Sequence, residues 1–148
     1  EAGYMAQVAE THGMAQRGGI VVSHLKVGEF SSPLVRPGQA DGLLALKAET
    51  VALHRHFLKG AGWIVANATP LAIVEAEHPV ATIDADPLAL DLGNPQAVNL
   101  IVLGRALAVP GQLFCTAAEI EETIHRKLTS KPTLLEGALA AFRTGLET

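Results

Sequence analysis

Cysteine is nearly absent from this 148-residue sequence, in which Cys115 is the only one. A single thiol cannot form a disulfide within the chain, so the sequence favours a reducing compartment, and we expect a cytoplasmic location. An iron–sulfur cluster takes about four thiolates, so any cluster associated with this chain must lie on another polypeptide. We interpret Cys115 as a small packing residue rather than a reactive thiol.

Long apolar runs and basic blocks are also missing. No apolar stretch reaches the roughly 18 residues of a membrane span and no signal peptide is visible, so we expect no membrane partner. The net charge is -4, and basic residues do not interleave with aromatic ones, which argues against nucleic-acid binding. No spacing of histidines or cysteines predicts a zinc site.

Apolar residues make up 49 % of the chain and charged residues 18 %, which excludes disorder. The length suits one domain with a core large enough to be stable without disulfides or metals. The positive mean hydropathy of +0.28 is high for a soluble monomer. We therefore expect part of the surface to be buried against other subunits, with a homo-oligomer as the alternative for the isolated chain.

The first two thirds of the chain alternate between strand and helix signals. Apolar and β-branched runs predict the following strands: residues 5–9, 20–27, 41–46, 63–66 and 81–85. Residues 48–58 predict a helix that ends at Gly60 and Gly62. This alternation predicts an α/β sheet that is at least partly parallel.

Residues 20–27 alternate in polarity as a half-buried strand does. Val21, Leu25 and Val27 share one face, and His24 and Lys26 share the other. Residues 28–38, which contain two prolines and two serines, predict an irregular segment.

The last third of the sequence predicts helices. Residues 96–109 are apolar or small on nearly every side, which predicts a helix buried on nearly every side. Thr116 and Glu119 have the spacing of a capping box for a helix over 117–128, and residues 135–146 predict a final helix. Asp84 and Asp86 could together hold a metal, but we predict that Asp86 instead caps a helix over 87–92.

The polar turn HGMAQRGG, at residues 12–19, is the segment that folding alone explains least. Gly18 and Gly19 lack a Cβ, so a ligand can approach the backbone closely, and Arg17 adds a permanent planar cation. Backbone N–H groups and a guanidinium together suit a phosphate or a carboxylate, and Gln16 adds an amide. The alternative is a tight turn with an exposed arginine. His12 could donate to a ligand, although a half-buried histidine bonded to backbone is the simpler interpretation.

The same turn, followed by VVSH at 21–24 and SPL at 32–34, resembles the gamma component of 2-oxoacid:ferredoxin oxidoreductases. The form HGMAQRGG is most similar to the small subunit of the indolepyruvate-type enzymes. The stretches ADGLLAL at 40–46 and LGNP at 92–95 also resemble this family. The resemblance implies a Rossmann-like three-layer α/β sandwich with a mostly parallel or mixed sheet and a helical C-terminal third.

The resemblance also implies a reaction: a 2-oxoacid and coenzyme A give acyl-CoA, carbon dioxide and reduced ferredoxin. It implies that thiamine diphosphate and iron–sulfur clusters are bound mainly by other subunits, which are the expected partners together with ferredoxin. Members of the family open with a strand and a Gly-x-Gly-Gly-Gln-Gly loop. We therefore expect residues 1–148 to be a single gamma-type domain that lacks this strand and loop.

Our site hypothesis is that the turn faces a partner subunit near the cofactor. Arg17 would neutralise a phosphate or the substrate carboxylate, with Gln16, Gly18, Gly19 and His12 as the other cofactor-binding residues. We assign no catalytic residue and no metal ligand to this chain. One alternative is a purely structural subunit whose turn only docks onto its partner. The other is a stand-alone nucleotide- or coenzyme A-binding module, which the lack of a G-x-G-x-x-G or G-x-x-x-x-G-K motif disfavours.

Overall fold

The computed structural model describes residues 5–12, 21–73 and 77–148. Its strands are β1 (Ala6–His12), β2 (Val21–Val27), β3 (Ala40–Ala45), β4 (Leu58–Asn67) and β5 (Val80–Ile83). Its α-helices are α1 (Glu49–His54), α2 (Ala85–Asp91), α3 (Val98–Ala108), α4 (Ala117–Leu128) and α5 (Pro132–Glu147). The predicted order of strands and helices is therefore confirmed, with changes at several boundaries.

A parallel sheet in the order β3-β4-β5 forms the centre of the molecule. Its middle strand contains Ile64, Val65 and Ala66, all fully buried. Neighbouring residues of a strand point to opposite faces, so a run of buried residues means that both faces are covered. Val65 packs in one apolar cluster with α3, and Ile64 packs in another with Val51 of α1. Helices thus lie on both sides of the sheet, as the predicted α/β class requires.

Helix α3 is buried on almost every side, as its sequence predicts. Only Asn99 is exposed along its length. Gly104 of α3 and Gly145 of α5 let the two helix backbones approach closely. A Cβ at Gly104 would collide with the carbonyl oxygen of Phe142, and one at Gly145 would collide with that of Ile101. Glycine is needed at both positions because of this approach rather than because of its dihedral freedom.

Helix α4 begins with the predicted capping box. The Thr116 hydroxyl accepts a hydrogen bond from the Glu119 N–H, and the Glu119 carboxylate accepts one from the Thr116 N–H at 2.7 Å. On its inner face Ile124 packs against Phe142 of α5. On the outside, Arg143 of α5 donates two hydrogen bonds to Glu121, at 2.8 and 2.9 Å. These contacts attach the last two helices to each other.

The predicted helix over 48–58 is wrong in its second half. Helix α1 ends at His54, a single 3₁₀ turn follows at Arg55–Phe57, and β4 begins at Leu58. Gly60 and Gly62 therefore lie inside β4 and do not end the helix. Leu58 is the parallel partner of Ala40 on β3, across an irregularity in the register. Pairing with a distant strand decided this boundary, and local propensity could not reveal it.

In the described part of the chain, no helix has the length and apolar character needed to cross a bilayer.

Candidate functional site

The strands β1 and β2 form a separate antiparallel hairpin that flanks the predicted site. Their pairing runs without a break from Ala6 and Val27 to His12 and Val21. His12 is the last residue of β1, so its backbone position is described. The predicted residues Gln16, Arg17, Gly18 and Gly19 lie outside the described residues. The structure describes the two strand ends, His12 and Val21, between which residues 13–20 run.

The polar face of the hairpin, which carries His24, packs against the rest of the protein. The predicted alternation on β2 is confirmed, but His24 is the buried residue, with 7 % exposure, while Val21 and Leu25 are 54 % and 53 % exposed. An alternating strand normally directs its apolar face to its own core. Here the rest of the protein offers a hydrogen-bonding group to the polar face instead, and the described residues leave Val21 and Leu25 of the apolar face more than half exposed.

His24 makes the buried connection between hairpin and body. Its Nδ1 accepts a hydrogen bond from the N–H of Val35 at 3.1 Å. Its ring meets the edge of Phe57 with the centroids 5.5 Å apart and the planes at 84°. This edge-to-face geometry is favourable for aromatic pairs. His24 therefore links β2 both to the irregular segment before β3 and to the residue that precedes β4.

Near the other end of the hairpin, the side chains of Lys26 and Gln7 make exposed contacts that also attach the hairpin to the segment after β2. Lys26 Nζ donates to the carbonyl oxygen of Ser32 at 2.8 Å and lies 5.0 Å from the ring centre of Phe30. Gln7 Nε2 donates to the carbonyl oxygen of Phe30 at 2.9 Å. The segment after β2 leaves the strand at Gly28, whose φ of 125° suits glycine. These bonds order the irregular segment that the two prolines and two serines predict.

An open cleft of about 1830 Å³ runs beside β2 and β3. It is lined by every residue of 21–27 and by every residue of 39–44. Because successive residues of a strand face opposite ways, a cleft lined by consecutive residues runs along the strand edge. The outer edge of β3 has no paired strand in the described part of the chain. The cleft therefore offers backbone groups of this edge together with apolar side chains, including Leu103 and Phe114, and charged ones, including Lys26, Asp41 and Lys59.

The carboxyl ends of the parallel strands are closed by an internal hydrogen-bond network around Asn67. The Asn67 side chain is buried and donates to the carbonyl oxygen of Leu46 at 3.1 Å and to Asp86 Oδ2 at 2.7 Å. Its Oδ1 accepts from the N–H of Ala85 at 2.8 Å. The predicted cap by Asp86 is wrong because α2 begins earlier, at Ala85, with Asp84 at the capping position. The sequence did not lead us to predict a role for Asn67. The available signal was its position as a polar residue at the end of an apolar run.

His54, His56 and Cys115 lie outside the Asn67 network. His54 and His56 both lie against the Phe57 ring, and His54 Nδ1 is 3.0 Å from the carbonyl oxygen of Thr50. Among the described residues, no group of three or more histidine, cysteine or carboxylate side chains could hold a metal ion. Burial, and then the nearby charge of Glu119, raise the pKa of the Cys115 thiol. A raised pKa lowers the reactive thiolate fraction, which supports the interpretation of Cys115 as a packing residue.

Comparison with known proteins supports the sequence resemblance. The family model of pyruvate ferredoxin/flavodoxin oxidoreductase matches residues 1–148. Indolepyruvate oxidoreductase subunit IorB of Thermococcus kodakarensis is 27 % identical over 168 residues, covering 99 % of this chain and 82 % of that protein. The subunit of the same name from Pyrococcus horikoshii is 28 % identical, with the same two shares covered.

Two solved structures share the fold. The gamma subunit of a keto/oxoacid ferredoxin oxidoreductase from Geobacter sulfurreducens has a TM-score of 0.74 at 21 % identity, covering 98 % of this chain and 80 % of that one. A 2-oxoglutarate:ferredoxin oxidoreductase from Magnetococcus marinus, solved with 2-oxoglutarate, coenzyme A and succinyl-CoA, has a TM-score of 0.70 at 18 % identity. The match covers 97 % of this chain and 25 % of that longer one. The chain thus belongs to the pyruvate ferredoxin/flavodoxin oxidoreductase family and is homologous to small subunits of 2-oxoacid:ferredoxin oxidoreductases.

Proposed function

We propose that this chain is the gamma-type small subunit of a cytoplasmic complex that oxidatively decarboxylates a 2-oxoacid. The bond between the carboxylate and the oxo carbon breaks and releases carbon dioxide. The remaining acyl group is transferred to the thiol of coenzyme A, and the released electrons reduce ferredoxin. The family match over residues 1–148 and the subunit names of the relatives support this proposal. Those names make indolepyruvate the first substrate to test.

In this proposal the cofactors of the complex are bound mainly by other subunits. When bound there, thiamine diphosphate supplies the carbanion stabilisation that decarboxylation requires. The donor set of this chain does not fit an iron–sulfur cluster, because the sequence has one cysteine and a cluster takes about four thiolates. Any such cluster therefore lies on another polypeptide of the complex.

In this proposal the chain contributes the segment 13–20, which joins β1 to β2. The observation that carries the proposal is the unbroken pairing up to His12 and Val21, since it brings the two residues that flank this segment to one place. We propose that Arg17 binds an anionic group, either a phosphate or the substrate carboxylate, at the boundary with a partner subunit. Gly18 and Gly19 allow the backbone to approach, and Gln16 and His12 add polar contacts.

A docking role for the hairpin is the second candidate, and the exposed apolar face favours it. Val8 lies directly opposite Leu25, and Val21 follows on the same face, all of them more than half exposed. Uncovered apolar side chains on a two-stranded sheet are typical of a surface that another subunit covers. In that case the turn contributes to assembly alone.

Replacing Arg17 by alanine in the reconstituted complex separates the two roles. If Arg17 binds an anion, the complex assembles and the KM for coenzyme A or indolepyruvate rises about tenfold or more, because a charge-assisted bond contributes ~1.5–3 kcal/mol. Arg17→Lys should retain part of the binding but lose the bidentate geometry. Arg126→Ala, at an exposed arginine of α4, is the matched control.

Steady-state kinetics and co-purification with the large subunit are the two measurements. Intact assembly with unchanged KM and kcat would overturn the anion-binding role, whereas loss of assembly would support docking alone. Calorimetric titration of the isolated chain with coenzyme A and with a dinucleotide tests the remaining alternative, a stand-alone binding module. Heat of binding by the isolated chain would favour that module.

A further inference from the structure

We infer that His24 is the positioning residue of the β1–β2 hairpin, and that it sets where the strand ends His12 and Val21 lie relative to the rest of the subunit. The inference rests on the proposed function of that turn. In this role His24 acts through the backbone that it holds.

Burial distinguishes His24 from its neighbours on the hairpin. Among the described side chains of β1 and β2 it is the only buried one, with 7 % exposure. A polar ring is costly to bury unless its polar atoms are paired. The two residues next to His24 along β2 point to the opposite face and are exposed. The inward placement of His24 therefore requires compensating contacts from the rest of the protein.

Those contacts come from two separate parts of the chain. The N–H of Val35 donates to Nδ1, which must therefore carry the lone pair, and this places the ring proton on Nε2. The edge-to-face contact with Phe57 comes from the residue immediately before β4. His24 thus fixes the hairpin simultaneously to the segment that leads into β3 and to the start of the central strand.

A two-stranded sheet is marginally stable on its own, so its attachment decides its orientation. His24 lies opposite Ala9 and is three positions along the strand from Val21, the first residue of β2. At about 3.3 Å per residue, Val21 lies roughly 10 Å along the strand from this anchor. A small rotation at His24 therefore displaces the strand ends His12 and Val21, to which the segment that contains Arg17 is joined. A displacement of about 1 Å in a binding group can cost ~100-fold in rate.

The contacts of Lys26 and Gln7 act differently. Both donate to backbone carbonyl groups at exposed positions, where water replaces a lost bond. Lys26→Met keeps an unbranched apolar side chain and removes Nζ, and with it both the exposed bond to Ser32 and the contact with the Phe30 ring. It is therefore the matched control for a change at the buried anchor.

Two substitutions separate the ring contact from the hydrogen bond. His24→Phe keeps an aromatic ring against Phe57 and leaves the Val35 N–H without an acceptor. His24→Asn places an oxygen near the position of Nδ1 and restores the acceptor without the ring. In the reconstituted complex, with indolepyruvate, coenzyme A and ferredoxin as substrates, we expect His24→Phe to lower kcat/KM about tenfold or more with assembly intact. We expect His24→Asn to recover part of that loss and Lys26→Met to stay near wild type.

A double-mutant cycle with Arg17→Ala completes the test. If His24 acts through the turn, adding His24→Phe to Arg17→Ala causes little further loss, because the group being positioned is already gone. Equal losses in both backgrounds, or unchanged kinetics in His24→Phe alone, would overturn the inference. If the His24→Phe protein does not fold, Phe57→Leu replaces it in the cycle. The same result is then expected, namely little further loss when this change is added to Arg17→Ala.

The cycle also separates this inference from the proposed function. If Arg17→Ala alone changes nothing while assembly is intact, the proposed role of the turn fails. If Arg17→Ala has its expected effect but His24→Phe does not, only the positioning role fails.

Discussion

Thr116 shows how a single local residue can stabilise a helix of this protein. Its hydroxyl accepts the Glu119 N–H, one of the N-terminal donors that have no partner within the helix. We expect Thr116→Ala to lower the free energy of unfolding by about 1 kcal/mol, measured by urea denaturation at neutral pH. Thr133→Ala, at an exposed threonine inside the first turn of α5, should change it much less. A loss in Thr133→Ala equal to that in Thr116→Ala would contradict the capping role.

The other half of the capping box gives the same helix a pH dependence. The Thr116 backbone N–H, and then the Thr116 hydroxyl, hold the pKa of Glu119 below its usual value. A lowered pKa in the folded state means that the stabilisation is complete above the unfolded value of about 4.3 and is lost as the pH falls through the folded value. The stability difference between wild type and Glu119→Gln should therefore shrink on acidification.

At the residue scale, a hydrogen bond can be predicted from the sequence when its two partners are close together along the chain. Thr116 and Glu119 are three residues apart, and their spacing alone predicts the box. His24 and Val35 are 11 residues apart, and Asn67 and Leu46 are 21 apart, so the burial of either polar residue depends on the assembled sheet. The residues Gln16 to Gly19 stay a prediction because they lie outside the described residues.

At the scale of elements, the contact between α3 and α5 sets how tightly the helical layer packs. Any side chain at Gly104 would meet the backbone of α5 rather than a movable side chain. We therefore expect Gly104→Ala to destabilise the fold by ~1–3 kcal/mol or more, although alanine is the better helix former. Gly137→Ala is the control, because the nearest atom to its new Cβ is the Asn94 side-chain nitrogen at 3.3 Å.

Thermal and chemical unfolding of both glycine variants measure this contact. Gly137→Ala should be neutral or slightly stabilising, since it gains helix propensity against a side chain that can move. A Gly104→Ala protein as stable as Gly137→Ala would mean that the two helices can separate without cost.

The bounds of elements with strong internal patterns are predictable from the sequence, whereas the start of β4, which depends on pairing with a distant strand, is not. Helices α4 and α5 show apolar residues at helical spacing, and both were predicted near their observed bounds. Strand β4 begins at Leu58 because that residue pairs with Ala40, and neither residue alone signals this. The same limit explains why Gly60 and Gly62 predicted a helix end and yet lie within a strand.

At the scale of the whole molecule, the outer face of the hairpin exposes neighbouring apolar side chains that a partner could cover. Val8 and Leu25 are 64 % and 53 % exposed and lie side by side. An alternation of polarity predicts two faces, but the sequence does not reveal which face the chain covers itself. Here the chain covers the polar face through His24, so the apolar face is available to other subunits.

Changing this face should affect association and leave folding nearly unaltered. We expect Val8→Lys combined with Leu25→Lys to reduce self-association of the isolated chain and to weaken its co-purification with the large subunit about tenfold or more, because charged side chains are costly to bury at an interface. Leu90→Lys, at a leucine of α2 that is 65 % exposed, is the matched control. Analytical ultracentrifugation measures the first effect and quantitative pull-down the second. If the double variant assembles as tightly as Leu90→Lys, the hairpin face lies outside the subunit interface, and the docking role must belong to another surface.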